Sequence, residues 1–194
     1  MLRGGRFLFK KKSFRAGGGN LINQQDYLAF ARRVKEELEN LNRIEGRLAG
    51  YNLFPGIHTN TFRGYPLSDE DSCRVLETYL HDYYSCLEKI FIHVAVDIDN
   101  TLPKGEDWHK KLLQQMTWDI KDARPSVLSK TTASKLNDLR GFRHVFRNIY
   151  GFNIHPEKII KALNNLSEIS LNVKSDINMF IDKMDCLLGV NLNN

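Results

Sequence analysis

The chain has 194 residues, 42% apolar and 26% charged, a balance that excludes global disorder and allows one core to form without a metal or a disulfide. Its three cysteines, Cys73, Cys86 and Cys186, make neither a disulfide framework nor a zinc spacing and suit a reducing, cytoplasmic compartment, and no run of eighteen apolar residues exists to cross a membrane. The net charge of +5 is local: residues 1–19 carry Arg3, Arg6, Lys10, Lys11, Lys12, Arg15 and no acid, so the remainder sums to −1 and overall charge is no argument for nucleic-acid binding.

That first stretch also holds five of the 13 glycines and three phenylalanines. It reads as a disordered basic tail: a targeting peptide, an arm for an acidic partner or nucleic acid, or an extension or tag outside the native protein. Its apolar run Phe7-Leu8-Phe9 is too short for a secretory core. The folding unit is expected over residues 20–194 as a single helical domain.

The first helix is expected from Asn23 to about Leu48, with Tyr27, Phe30, Val34, Leu38, Leu41 and Leu48 at helical spacings. Its polar face offers the pairs Arg33–Glu37 and Lys35–Glu39 at i,i+4. Residues 50–67, with Pro55, Pro66 and three glycines, read as a loop. Ser68 with Asp71 is a helix-start signal, and the second helix is expected over about 69–99. A third is expected over Trp108–Ile120, broken by Arg124-Pro125. A fourth, capped by Thr131 or Thr132, runs over about 133–150, with Gly151 as its terminator. The last starts near Pro156 and carries Ile159, Leu163, Leu166, Val173, Ile177, Phe180, Met184 and Leu187 in a heptad-like pattern that reads as core. No segment alternates with period two, so no sheet is expected. The chain reads as all-α, an up-and-down bundle of about five helices.

Nucleotide-binding loops and nucleophile elbows are absent from the sequence. His93, Asp97 and Asp99 suggest a metal only weakly and read as a solvated helix end. Trp108-His109 reads as a buried Trp beside a surface His. No metal and no cofactor is expected.

One segment stands apart. Residues 139–151, LRGFRHVFRNIYG, contain no acid. At 100° per residue, Leu139, Phe142, Phe146 and Ile149 share the core side, and Arg140, Arg143 and Arg147 fall within about 60° of one another on a different side. Tyr150 lies beside Arg143, and His144 with Asn148 forms an adjoining polar strip. Like charges at these spacings repel by a few tenths of a kcal/mol per pair. Two groups could offset that repulsion: carboxylates of another helix, or phosphate, which arginine binds with paired hydrogen bonds.

The run Arg143, four residues, Asn148, one residue, Tyr150 resembles the Arg–X4–His–X–Tyr signature of the HEPN superfamily and of its HepT toxins. YLHDYYSCLEKIF at 79–91, LPKGEDWHKKLLQQM at 102–116, LRGFRHVFRNIYGF at 139–152 and the HPEK that follows carry the same resemblance over roughly residues 24–188. The resemblance implies a helical homodimer whose motif helices form a composite, metal-independent endoribonuclease site acting on RNA such as tRNA or mRNA. It also implies a partner, an MNT-type nucleotidyltransferase antitoxin that silences the toxin by adding AMP to the motif tyrosine, here Tyr150. Carried over residue by residue, Arg143 stabilises charge; Arg140 and Arg147, which belong to the arginine stripe rather than to the motif, are the candidates to bind RNA, and Arg147 can also stabilise charge. The family's histidine position is Asn148, which cannot titrate and can only orient a phosphate or hydroxyl. His144, on the same turn, is the candidate to move the proton. The alternative is an inactive HEPN-fold protein that binds RNA or a partner through the same face.

Overall fold

The computed structural model describes residues 22–148 and 155–190, and for residues 142–148 the backbone alone. Asn23 accepts a hydrogen bond from the Asp26 N–H (2.9 Å) and starts α1, Gln24–Gly50. The loop after α1 contains a hairpin, β1 (Thr61–Phe62) paired with β2 (Tyr65–Pro66). The expectation of no sheet is corrected here, for a physical reason: two-residue strands are too short to show alternation. Arg63 (φ 53°) and Gly64 (φ 88°) both take positive φ, as a tight two-residue hairpin turn requires. The hairpin buries Phe62 against the Tyr51 ring, centroids 4.7 Å apart.

Helix α2, Glu70–His93, is capped by Asp69, whose carboxylate accepts from the N–H groups of Asp71 and Ser72; Ser68 is not the cap. The carboxylate satisfies two open donors at once and adds a charge that the helix dipole favours. Helix α2 continues as a π-helical turn, Val94–Ile98. Helix α3, Trp108–Gln115, ends five residues before the expected Ile120. Helix α4, Lys130–Asn148, starts earlier than expected because Ser129, not Thr131 or Thr132, accepts from the Thr132 N–H (3.1 Å). Helix α5, Pro156–Leu188, has Pro at its first turn and ends on Gly189 at φ 61°, where the Val190 N–H reaches back to the Asp185 carbonyl. Gly151, expected to terminate α4, lies outside the described residues.

The result is an all-α bundle in which α2 packs against α1, α3, α4 and α5. Leu76, Leu80, Leu87 and Phe91 of α2 are buried, as are Phe30 and Leu41 of α1 and Leu163, Val173 and Phe180 of α5. Of the α5 apolar series only Leu187 is exposed. Among the described residues no helix is long and apolar enough to cross a membrane.

Three of the polar ties among the described residues fix how α1, α2, α5 and the connection into α4 sit. Glu45 of α1 is buried and accepts from the Tyr83 hydroxyl (3.2 Å), the Ser170 hydroxyl (2.7 Å) and the Lys174 ammonium (2.6 Å), joining α1, α2 and α5. Burial pushes the Tyr83 phenol well above its ordinary range. Arg33 pairs with Asp97 at 2.8 Å, and Glu37 pairs with Lys89 at 3.3 Å, so the expected Arg33–Glu37 pair is replaced by bonds across α1 and α2. Docking of α1 against α2 and the turn that follows it brings Asp97 and Lys89 within reach of Arg33 and Glu37. Asp97 also lies 3.6 Å from His93 Nδ1. Burial raises the Asp97 carboxyl, but His93 and the Arg33 charge outweigh burial and hold it below the ordinary carboxylate range.

The third tie is Arg124, whose side chain is fully buried. Its Nε donates to Asp99 Oδ1 (2.5 Å) and one Nη to Asp99 Oδ2 (2.7 Å). The carbonyls of Gln115, Trp118 and Pro125 take the other three protons at 2.9–3.1 Å. All five guanidinium donors are therefore satisfied. The Gln115 amide also donates to Asp99 Oδ2 (2.6 Å). The reading of His93, Asp97 and Asp99 as a solvated helix end is thus corrected: Asp97 and Asp99 belong to two separate ion pairs, and Asp99 is buried.

Candidate nucleic-acid interface

Helix α4 carries the arginine-rich segment, and its placement follows from its start. The Ser129 N–H donates to Asp176 of α5 (2.8 Å), and Lys135 pairs with Glu168 of α5 at 2.5 Å. Residue numbers rise on one helix as they fall on the other, so α4 and α5 are antiparallel. The Val127 and Leu128 N–H groups bind the Met116 carbonyl at the C-terminal end of α3, and Arg124 ties the same connection to Asp99 just beyond α2. The beginning of α4 therefore sits at the C-terminal end of α2, and its C-terminal half runs back along it.

The exposure pattern of α4 is regular. Leu136 and Leu139 are buried, while Ser134, Asn137 and Gly141 are exposed at steps of three and four. A Cβ added at Gly141 would meet nothing within 4 Å, so this side of α4 is uncovered there. On the helical backbone, positions 144 and 148, held by His144 and Asn148, follow 141 at the same steps of three and four. Arg140 flanks this series and is half-buried; its Nε donates to the Asn137 amide oxygen at 3.1 Å, and among the described residues it makes no ion pair. Among the described residues no carboxylate answers this arginine. The backbone is helical through Asn148, so Arg140, Arg143 and Arg147 hold the i, i+3, i+7 positions read from the sequence. The side chains of Phe142, Arg143, His144, Phe146, Arg147 and Asn148 lie outside what is described, as do Ile149 and Tyr150 altogether.

Sequence reasoning missed a second polar group, which joins α2 and α3. His109 Nδ1 lies 2.5 Å from Glu88 Oε1, both side chains largely buried at 13% and 8%, and the Trp108 ring lies against the imidazole with centroids 3.5 Å apart. Trp108 and His109 are both half-buried, so the expected contrast of a buried Trp beside a surface His is corrected. Glu88 and His109 are 21 residues apart on different helices, so no local spacing announces them. The adjoining carboxylate fixes which ring nitrogen carries a proton. Among the described residues no three His, Cys, Asp or Glu side chains converge as a metal site.

A family model described as HepT-like protein matches residues 75–184, more than half of the chain and all of α4. The chain belongs to the HepT-like family. The match extends from α2 into α5, so the HepT-like part includes the two helices that pack on α4 as well as the arginine-rich segment itself. The HepT-like chain matches no curated protein.

Proposed function

We propose that this HepT-like protein is a metal-independent endoribonuclease toxin whose composite site forms where the α4 helices of a homodimer meet. Cleaving RNA through its 2′-hydroxyl requires removal of that proton, delivery of one to the leaving oxygen, and stabilisation of negative charge on phosphorus. Arg143 and Arg147 supply the charge stabilisation, Arg140 binds the neighbouring backbone, and Asn148 orients a phosphate or hydroxyl. His144 moves the proton. An MNT-type nucleotidyltransferase antitoxin controls the toxin by adding AMP to Tyr150. The observation that carries this reading is an acid-free arginine series on a helix with one uncovered side, inside the segment that matches the family.

The test uses purified full-length protein freed of any AMP on Tyr150. RNA should be cleaved in the presence of EDTA, and Arg143→Ala should abolish the activity. No cleavage above background would overturn the ribonuclease reading. Mass measurement of Tyr150 peptides after co-expression with a neighbouring nucleotidyltransferase tests the control step. A second reading has its own observation: Asn148 stands where the family has histidine. A non-catalytic protein binding RNA or a partner through the same face then follows, and only Asn148→His would show cleavage.

A further inference from the structure

A groove of about 330 Å³ runs between α4 and α5. Lys135, Asp138 and Leu139 line it from α4, and Lys158, Lys161 and Asn165 from α5. Lys135 is answered by Glu168 (2.5 Å), whereas Lys158 and Lys161 are exposed and, among the described residues, make no ion pair. They stand at i and i+3 on one helix, where like charges repel. Asp138, across the groove, forms no ion pair among the described residues either.

The register between the helices gives these lysines a position. Ser129 meets Asp176 and Lys135 meets Glu168. Counting onward along two antiparallel helices of equal rise puts Lys161 level with about positions 142–144 and Lys158 level with about positions 145–147. On α4, position 143 is one turn beyond Leu139, which lines the groove. The unanswered lysines thus lie level with the motif arginines, on the neighbouring helix.

We infer that the α4–α5 groove is a subsite for the phosphate backbone of single-stranded RNA, with Lys158 and Lys161 holding the phosphates that flank the bond presented to Arg143. The inference rests on the ribonuclease reading for the identity of the polyanion, and it extends that site onto a second helix. The i,i+3 spacing sets the two ammonium groups one helical turn apart along the groove, so a strand lying in it meets them in succession.

The test is binding of a fluorescein-labelled 2′-O-methyl RNA, which cannot be cut through its 2′-oxygen, to the full chain over a range of salt. Each phosphate contact on a single strand contributes about 0.7 to the slope of log K against log salt, so Lys158→Ala/Lys161→Ala should lower the slope by about 1.4. The two lines converge near 1 M salt, which makes the expected weakening about 25-fold at 0.1 M. Both lysines are exposed, and an unchanged melting temperature confirms that the variant is folded. If the double variant binds with wild-type affinity and slope while Arg143→Ala weakens binding, the groove inference is overturned and the arginine site stands. If the lysine variant weakens binding and Arg143→Ala does not, the groove holds the RNA and the arginine site falls. Absence of salt-dependent binding by the wild-type protein overturns the groove inference, and the cleavage assay decides the ribonuclease reading separately.

Discussion

Replacing Arg124 by methionine removes the centre of the connection between α2 and α4. The side chain is fully buried and Asp99 is 3% exposed. Loss of the guanidinium leaves that carboxylate with the Gln115 amide as its remaining side-chain donor (2.6 Å). It also leaves three backbone carbonyls without the protons they now accept. Breaking a buried pair by removing one partner costs about 3–5 kcal/mol. For a chain of this size each kcal/mol lowers Tm by about 2–4 °C, so Arg124→Met should fall by roughly 6–20 °C. Adding Asp99→Leu removes the stranded charge but not the orphaned carbonyls, so the double variant should recover part of the loss and not all of it. Differential scanning calorimetry of the three proteins at neutral pH reads both effects. A single-variant shift below about 2 °C, or a double variant no more stable than the single, would refute the view that this network organises the connection.

Asp97 is held below the ordinary carboxylate range, so its bond to Arg33 stabilises the fold above the unfolded carboxyl pKa, near 3.8, and that contribution disappears as pH falls through the lower folded value. Asp97→Asn should therefore be destabilising at pH 7 in a urea titration and progressively less so below about pH 4. Burial raises the Glu77 carboxyl, with His81 opposing, so ionised Glu77 costs stability. Glu77→Gln should raise Tm at pH 7, with the gain fading as pH falls through the raised folded pKa and absent once Glu77 is protonated in both states. Cys186 is exposed while burial, followed by the Glu37 charge, pushes the Cys86 thiol up to about 11. Iodoacetamide at pH 8 should label Cys186 first, and peptide masses showing Cys86 labelled at an equal rate would contradict its burial. Asn148→His should raise RNA cleavage by about 10²–10⁴, the usual contribution of a positioned acid–base group.

The long helices were legible because each repeats apolar residues over many turns: Tyr27, Phe30 and Val34 in α1, and Leu163, Leu166 and Val173 in α5, are buried as their spacing predicts. The motif positions on α4 were legible for the same reason, since i, i+3 and i+7 mean something only on a helix. What escaped was set by contacts across the chain. Arg124 beside a proline reads as a helix break, and nothing 25 residues earlier marks Asp99 as its partner. Ser129 caps α4 through a hydroxyl that competes on paper with Thr131 and Thr132. The Arg33–Glu37 pair gave way to Asp97 and Lys89 because docking of the helices brings each residue a partner from across the interface. Lys158 and Lys161 belong to a groove that exists only once α4 and α5 lie side by side.

The carboxylate of Glu45 lies outside the family-matched segment yet bonds to Tyr83, Ser170 and Lys174 within it. A fragment trimmed to residues 75–184 would strand two hydroxyls and an ammonium group and uncover the apolar sides of two helices. Such a truncation should come out of expression as aggregate, and any study of isolated pieces has to retain the first helix as a covalent or co-expressed strand of the same assembly.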